Sequence, residues 1–434
     1  MHATTRQLAV VALVQLSLAC STGDSNPTPT PQPEAAVLCD NAHGPCSLTG
    51  DPNEPEEFAL KVTGNPQEVT QVKPIPSSPL ATIDRDAGVS VQLSDGSILW
   101  LFGDTAARAE DGSIDYFTIG TASWSPSTSP TVTTDVVAEP GGGPAPLAVP
   151  DTQQLQCENP TDRAGMWPAS AVVTPVGPKD GGSKDGGSKD LVTIWFENIC
   201  LGSAGTLQDR GMSVGTWEYN PSDPPNGRPI VATLLNQRLF DSRSYASAAV
   251  IDPRSVEPEA VVYRCENLPR PSKRKPGPCF MARVPLRDAA DSSKYREWNG
   301  MAFAAQVGNG TPLELPSGAT WPIPPGGFTV VYDGTIKRYV MAYSPWPGQV
   351  PAIDIRLASN PEGPWTSPIT VKLPGCEDTL RGELVSCYAA TPQPFMSTEG
   401  ALGIGYYDAF VQQLPHRGSY VVARLPIAVT PPPR

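Results

Sequence analysis

Histidine is the scarcest of the residues that commonly carry chemistry in this 434-residue chain. Only three are present, His2, His43 and His416, and they lie far apart in the sequence. A Ser-His-Asp triad would depend on His416 alone, and the sequence has no GxSxG, HExxH or EF-hand pattern. Histidine-based catalysis is therefore disfavoured, and carboxylates remain as the plausible catalytic groups.

Basic residues and long helix-forming stretches are also in short supply. The chain has 31 Lys and Arg against 44 Asp and Glu, a net charge of -13, which disfavours nucleic acid and anionic surfaces as partners. A neutral partner such as a polysaccharide is compatible with this charge. The 51 prolines and 39 glycines favour many short strands joined by loops, so we expect a mostly β protein.

The apolar run near the N-terminus, residues 8–18, is too short to span a membrane. With Arg6 before it and Ser17-Leu18-Ala19-Cys20 at its end, it predicts an export signal. The segment resembles a bacterial lipoprotein signal in which Cys20 is lipidated and anchors the protein in the cell envelope. Ser17 stands where such signals usually have Leu, and ordinary signal peptidase would accept the same Ser-x-Ala pattern.

The domain boundaries follow from composition. We expect a signal peptide over residues 1–19, a Pro-rich tether with a small disulfide loop over 20–55, one folded domain over 56–427 and a Pro-rich tail over 428–434.

The cysteine count predicts disulfides. Nine cysteines less Cys20 leave eight, an even number typical of an oxidising compartment. Other connectivities stay open, and the lack of a CxxC or Cys/His cluster disfavours a metal site. The spacing suggests four pairs: Cys39 with Cys46, Cys157 with Cys200, Cys265 with Cys279, and Cys376 with Cys387.

The stretch "RDAGVSVQLSDGSILWLFGDT", residues 85–105, has two apolar runs joined by a Ser-Asp-Gly-Ser turn, the pattern of a β-hairpin. Four further hairpins are predicted over residues 168–199, 245–265, 326–344 and 388–408. Each hairpin is followed by another short β run, beginning at Phe117, Met212, Cys279, Ala352 and Ser419. Five such units predict an all-β, five-bladed β-propeller of antiparallel blades, with residues 56–63 as an added outer strand. A β-sandwich is the alternative fold.

Four segments resemble a known family: the hairpin just quoted, "YREWNG" (295–300), "IRLASNPEGPWTSP" (355–368) and "GALGIGYYDAF" (400–410). They are similar to the bacterial propeller family catalogued as domain of unknown function 4185, over about residues 74–425. The resemblance implies a five-bladed propeller related to furanosidases, and some relatives are endo-D-arabinanases of glycoside hydrolase family 183. The family's fifth blade often carries His-Pro where this chain has Gln393-Pro394, which puts part of a substrate or ion subsite in doubt.

Asp86 and Asp104 are the predicted catalytic pair. Asp86 opens the first strand of the hairpin and Asp104 closes the second, so an antiparallel pair would bring them to the same edge, roughly 5 to 10 Å apart. That range covers both retaining and inverting glycosidases. The competing interpretation makes Asp104 a turn residue and Asp86 a solvated partner of Arg85. The resemblance favours Asp86 as the base or nucleophile, because arabinanase-like propellers place an ionised Asp on the first inner strand.

The same strand positions in the other blades give the remaining candidates. Glu197 is expected to be a third carboxylate that tunes pKa values or binds a hydroxyl. The predicted substrate-binding residues are Trp167, Tyr245, Arg264, Trp346, Tyr388 and Asp408. The tryptophans would stack on sugar faces or pack in the core, and Arg264 would orient a carboxylate.

We therefore expect a monomeric, exported, glycan-active lipoprotein that hydrolyses a furanose-containing, arabinan-like polysaccharide with a carboxylate pair. No cofactor is expected, although a structural Ca²⁺ in the propeller channel is compatible with the fold. The alternatives are a non-catalytic glycan-binding lipoprotein on the same fold, which Gln393 favours, and a protein-interaction scaffold, which would have no convergent acids at its mouth.

Overall fold

The structure of the protein is a computed structural model, and it describes residues 59–76, 78, 83–109, 113–135, 143–176, 189–202, 207–225, 227–241, 245–267, 276–313, 328–343, 352–374, 388–408 and 419–430. Among these residues no helix combines the length and the apolar character needed to cross a membrane. The lipidation candidate Cys20 and the substrate-binding candidate Trp346 lie outside the described residues.

The described residues form strands and isolated 3-10 turns, as the Pro and Gly content predicts, but several strands are longer than expected, up to the 14 residues of Arg163–Val176. The first strands are β1 (Ala59–Val62), β2 (Gln67–Gln71) and β3 (Lys73–Pro74). Blade 1 contains β4 (Ile83–Arg85), β5 (Val89–Gln92), β6 (Ile98–Arg108) and β7 (Ile114–Ser125), with β8 (Val132–Thr133) beside β3. Blade 2 contains β9 (Arg163–Val176), β10 (Lys189–Leu201), β11 (Leu207–Tyr219) and β12 (Thr233–Phe240).

The other three blades follow the same plan. Blade 3 contains β13 (Ala248–Ile251), β14 (Glu259–Asn267), β15 (Pro276–Pro285), β16 (Arg296–Trp298) and β17 (Phe303–Ala305), with 3-10 turns at Leu286–Asp288 and Ser292–Lys294. Blade 4 contains β18 (Phe328–Asp333), β19 (Arg338–Tyr343), β20 (Ala352–Ala358) and β21 (Ile369–Lys372). Blade 5 contains β22 (Tyr388–Pro392), β23 (Ala401–Asp408) and β24 (Ser419–Thr430), with a 3-10 turn at Pro394–Met396.

These five antiparallel sheets confirm the predicted five-bladed propeller, and all five hairpins and the strands that follow them stand where the sequence pattern predicts. The predicted N-terminal outer strand is also present, because β1 pairs with β24 from Ala59↔Thr430 to Val62↔Ile427. The ring is thereby closed within one blade by strands from both ends of the propeller domain.

The hydrophobic core is divided into five layers, one between each pair of neighbouring blades. Strands with apolar residues on both faces supply them, so that Trp195 of blade 2 packs with Val262 of blade 3 and Tyr263 of blade 3 packs with Val330 of blade 4. The layer between blades 5 and 1 contains Trp100, which is fully buried against Phe102 and Tyr420. Burying one such side chain contributes about 1.5–3 kcal/mol, so the layers fix the blades around the axis.

Two disulfides form as the cysteine spacing predicts, one between Cys157 and Cys200 and one between Cys265 and Cys279. The first ties the loop before β9 to the end of β10, and the second joins opposite residues of β14 and β15. Disulfides of this kind are typical of proteins that fold in an oxidising compartment, outside the cytoplasm.

The other two predicted disulfides are not among the bonds that the structure describes. Cys39 and Cys46 precede the first described residue, and Cys376 and Cys387 fall between β21 and β22, outside the described residues. The pairing of Cys39 with Cys46 and that of Cys376 with Cys387 therefore stay predictions from spacing alone.

A cavity of about 360 Å³ runs along the propeller axis. The innermost strands of all five blades line it, mainly with small and apolar side chains such as Val89, Val172, Val250 and Val330. None of the described residues that line it is Asp, Glu or His. The calcium ion that the fold is compatible with stays a prediction.

Candidate active site

The candidate site is built around a break in the innermost strand of blade 1. Arg85 pairs with Thr105 before the break and Val89 pairs with Leu101 after it, so the register is unchanged and Asp86 lies opposite Asp104. Directly opposed residues in an antiparallel pair have Cβ atoms about 4.5–5.5 Å apart. The two carboxyl groups are therefore neighbours, close enough for the charge of Asp86 to raise the pKa of Asp104.

The expected position of this pair at a strand edge is wrong in detail. Asp86 follows β4 rather than opening the first strand, and β6 continues past Asp104 to Arg108. The pair sits inside the hairpin because Ala87, at φ 53°, takes a left-handed conformation and interrupts the inner strand. Interruptions of this kind re-aim side chains and cluster at functional sites.

The break exchanges one backbone hydrogen bond for a side-chain bond. The Asp86 amide donates to the Asp104 carbonyl at 3.0 Å, but the Asp104 amide donates to Asp86 Oδ1 at 2.6 Å. The Asp86 carbonyl accepts instead from the amide of Gly103 at 3.0 Å. The carboxylate of Asp86 is thus held against the backbone of its partner.

Two glycines make this arrangement sterically feasible. A Cβ on Gly103 would lie 2.7 Å from Asp86 Oδ1, and a Cβ on Gly88 would lie 2.6 Å from the ring of Tyr420. Both contacts are closer than side-chain carbon atoms allow. A side chain larger than that of glycine would therefore disturb the site at position 103 or at position 88.

Tyr388 holds the second oxygen of Asp86. Its hydroxyl donates to Asp86 Oδ2 at 2.5 Å, so both oxygens of this carboxylate accept hydrogen bonds. Burial raises the pKa of the Tyr388 hydroxyl well above its usual value, and the nearby charge of Asp86 adds to the rise. Tyr388 consequently stays protonated and acts as a permanent donor, which places this predicted substrate-binding residue in contact with the predicted nucleophile.

Trp167 holds Asp104. The indole Nε1–H of Trp167, on β9 of the next blade, donates to Asp104 Oδ1 at 2.7 Å. This contact leaves Oδ2 as the oxygen that can carry a proton. Sequence reasoning expected Trp167 to stack on a sugar or pack in the core, and it missed the hydrogen bond because no sequence pattern links residues 63 positions apart.

The two carboxyl groups have different electrostatic environments. Burial raises the pKa of Asp86 to about 6, while the donors Tyr388 and Asp104 N–H oppose the rise. Burial also raises the pKa of Asp104 to about 8, the charge of Asp86 adds to it, and the single donor Trp167 opposes it. Burial and mutual repulsion thus disfavour ionisation of both acids at once, and the two donors to Asp86 against one to Asp104 favour the proton on Asp104.

Arg85 does not form the solvated pair with Asp86 that the competing interpretation requires. Its guanidinium contacts the carboxylate of Asp135, and both side chains are almost completely buried. It also lies 4.5 Å from the centre of the Phe102 ring. The charge of Arg85 is therefore paired with Asp135.

Glu197 is next to Trp167, the residue that donates to Asp104. It is the register partner of Trp167 across β9 and β10, so their side chains share a face of the sheet, and Glu197 is only 5% exposed. This placement is compatible with the expected third carboxylate, whose role stays a prediction.

The remaining described substrate-binding candidates belong to blades 3 and 5, and their role stays a prediction. Tyr245 is buried and packs against Phe240, with the Arg264 guanidinium 5.2 Å from its ring centre. Arg264 pairs with the buried carboxylate of Glu297 at 3.3 Å, so the carboxylate that it orients belongs to its own blade. Asp408 is 2% exposed, at the end of β23 opposite Ser419.

Gln393, at the position that the sequence resemblance singles out, is fully buried and bridges blades 5 and 1. Its Nε2 donates to Thr391 Oγ1 at 2.6 Å and its Oε1 accepts from the hydroxyl of Ser90. Thr391 in turn donates to the Gly88 carbonyl at 3.1 Å. Gln393 therefore helps to join blade 5 to the inner strand of blade 1, and its side chain hydrogen-bonds to protein groups.

Comparison with known proteins adds information about the fold. No family model and no curated protein matches the chain, so the family suggested by the sequence resemblance stays a prediction. A candidate hydrolase from Bacteroides ovatus has a similar structure, with a TM-score of 0.51 at 15% identity over 78% of this chain and 85% of that one. A family 117 glycoside hydrolase from Zobellia galactanivorans aligns with a TM-score of 0.41 at 11% identity, over 84% of this chain and 90% of that one. An endo-arabinanase of family 43 from Bacillus licheniformis aligns with a TM-score of 0.34 at 9% identity, over 79% and 93%.

Proposed function

We propose that the protein is an exported glycoside hydrolase that cleaves a furanose-containing, arabinan-like polysaccharide with Asp86 and Asp104. The observation that carries this proposal is the opposed pair, in which one carboxylate accepts two hydrogen bonds and the other accepts one from an indole. Such a difference between two neighbouring acids is what acid–base cleavage of a glycosidic bond requires. The hydrolase description of the Bacteroides ovatus protein, whose fold is similar, agrees with it.

The proposed reaction divides the work between the two acids. Asp104 donates its proton to the leaving oxygen as the glycosidic bond breaks, and Asp86 attacks the anomeric carbon or activates the water that attacks it. Tyr388 and the Asp104 amide hold Asp86 ionised and oriented. Trp167 holds one oxygen of Asp104 so that the other can face the leaving group.

The substrate class is tested by incubating the purified protein with D-arabinan, L-arabinan and unrelated β-glucan, and by measuring released oligosaccharides. We expect release from an arabinan and none from the β-glucan. Binding to an arabinan without any release would favour the alternative, a non-catalytic glycan-binding protein. The proposed lipid anchor on Cys20 is tested separately, by mass spectrometry of the mature N-terminus and of a Cys20→Ser variant.

A further inference from the structure

A third carboxylate, Asp84, lies next to the catalytic pair. It is two residues before Asp86 on the same inner strand, so the two side chains share a face about 7 Å apart along the chain. Asp84 is only 7% exposed. The hydroxyl of Tyr407, on β23 of blade 5, donates to Asp84 Oδ1 at 3.0 Å.

Two neighbouring tyrosines, whose rings are tilted by 55° against each other, connect the two acids. Tyr407 is the register partner of Tyr388, and their ring centres are 5.0 Å apart. Tyr407 donates to Asp84 while Tyr388 donates to Asp86 at 2.5 Å. One tyrosine pair from blade 5 therefore holds two carboxylates of blade 1. Each carboxylate accepts a hydrogen bond from a different tyrosine hydroxyl.

We propose that Asp84, held by Tyr407, is a positioning residue whose negative charge acts on Asp86. This inference rests on the proposed function for its catalytic meaning, but the electrostatic effect exists in the free protein. A like charge at this distance disfavours the ionised form of Asp86, and Asp84 contributes to the raised pKa of Asp86 after burial. Among the residues that the structure describes, Asp104 and Tyr388 also act on Asp86, and the Arg85 guanidinium is bound to Asp135.

This electrostatic effect would bring the pKa of Asp86 closer to the pH at which the protein works. A carboxylate with two donors would ordinarily ionise well below neutral pH and would be a weak base. Burial opposes these donors most strongly and the charge of Asp84 adds to it, so the pKa of Asp86 is raised and the group keeps basicity. A group that tunes a catalytic acid in this way changes the pH profile rather than the substrate contacts.

The test uses Asp84→Asn, which removes the charge but keeps an oxygen to accept from Tyr407. Carboxyl ¹³C NMR of aspartate-labelled protein follows the titration of Asp86, which is assigned with Asp86→Asn. We expect the Asp86 midpoint to fall by about one pH unit. Asp84→Ala should shift it in the same direction, Asp84→Glu should restore it, and Asp354→Asn, at a buried acid of blade 4, should leave it unchanged.

An Asp86 midpoint that is the same in Asp84→Asn, Asp84→Ala and the unaltered protein would overturn the inference. Because the titration needs no substrate, it is independent of catalysis. If the unaltered protein releases no sugar while the midpoint shifts, the proposed function fails and the electrostatic role stands. If it hydrolyses arabinan, the acidic limb of its kcat/KM profile should move to lower pH in Asp84→Asn by the same amount.

Discussion

Asp104→Asn should change how the stability of the protein depends on pH. Asp104 has a pKa of about 8 in the folded protein, against an ordinary value of 3.8. Between these values the folded state keeps a proton that the unfolded chain releases. The contribution of this group to stability is therefore fully present below about pH 4 and is lost as the pH rises through 8, at about 1.4 kcal/mol per pH unit.

Over the two pH units from pH 5 to pH 7, the free energy of unfolding changes by about 3 kcal/mol through this group. Asparagine keeps an oxygen that can accept from Trp167 Nε1 and has no proton to release. The free energy of unfolding of the variant should therefore rise by up to about 3 kcal/mol relative to that of the unaltered protein between pH 5 and pH 7. All other titrating groups are shared by the two proteins, so their effects largely cancel in the difference.

Urea unfolding at pH 5, 6 and 7, followed by tryptophan fluorescence with the disulfides intact, measures this difference. Asp115→Asn, at an exposed acid of β7, is the matched control and should follow the unaltered protein at each pH. A difference between Asp104→Asn and the unaltered protein that is constant from pH 5 to pH 7 would refute the protonated state assigned to Asp104. The measurement does not depend on any activity.

Three further predictions concern catalysis. The kcat/KM profile on arabinan should be bell-shaped, with limbs near pH 6 and pH 8, because Asp86 must be ionised and Asp104 protonated; a profile still rising at pH 9 would contradict the assignment. Trp167→Phe removes a donor that lowers the pKa of Asp104, so the basic limb should move to higher pH, and an unmoved limb would contradict that role. Gly103→Ala should lower kcat/KM at least about tenfold, because its Cβ would lie 2.7 Å from Asp86 Oδ1. The control Gly334→Ala, with open space around its Cβ, should have no effect, and equal kcat/KM values in the two variants would contradict the prediction.

The blade architecture could be predicted because its determinants are local. Each hairpin has two apolar runs and a turn within about 20 to 30 residues, and five such units limit the folds available. The pairing of Asp86 with Asp104 across the two strands could also be predicted, because one tight turn fixes the register of the hairpin. The disulfide between Cys265 and Cys279 belongs to the same class, because its cysteines face each other across β14 and β15.

The environment of the pair could not be predicted from the sequence. The strand break depends on a positive φ at Ala87, a conformation that alanine does not signal. The side-chain donors to the two acids, Trp167 and Tyr388, are 63 and 302 residues away from their partners in the sequence. They meet these partners only when the ring closes. Asp84 was overlooked for the same reason, since Tyr407 joins it across 323 residues.

The central claim is that Asp86 acts ionised while Asp104 supplies the proton. An arabino-oligosaccharide with a dinitrophenyl leaving group, which departs without a proton, tests it most directly when its kcat/KM is compared with that of arabinan. In Asp104→Asn, kcat/KM should fall about 10²–10⁴-fold on arabinan but stay close to that of the unaltered protein on the activated substrate. In Asp86→Asn, kcat/KM should fall on both substrates. Equal losses on the two substrates in Asp104→Asn, or release that survives in Asp86→Asn, would contradict the account.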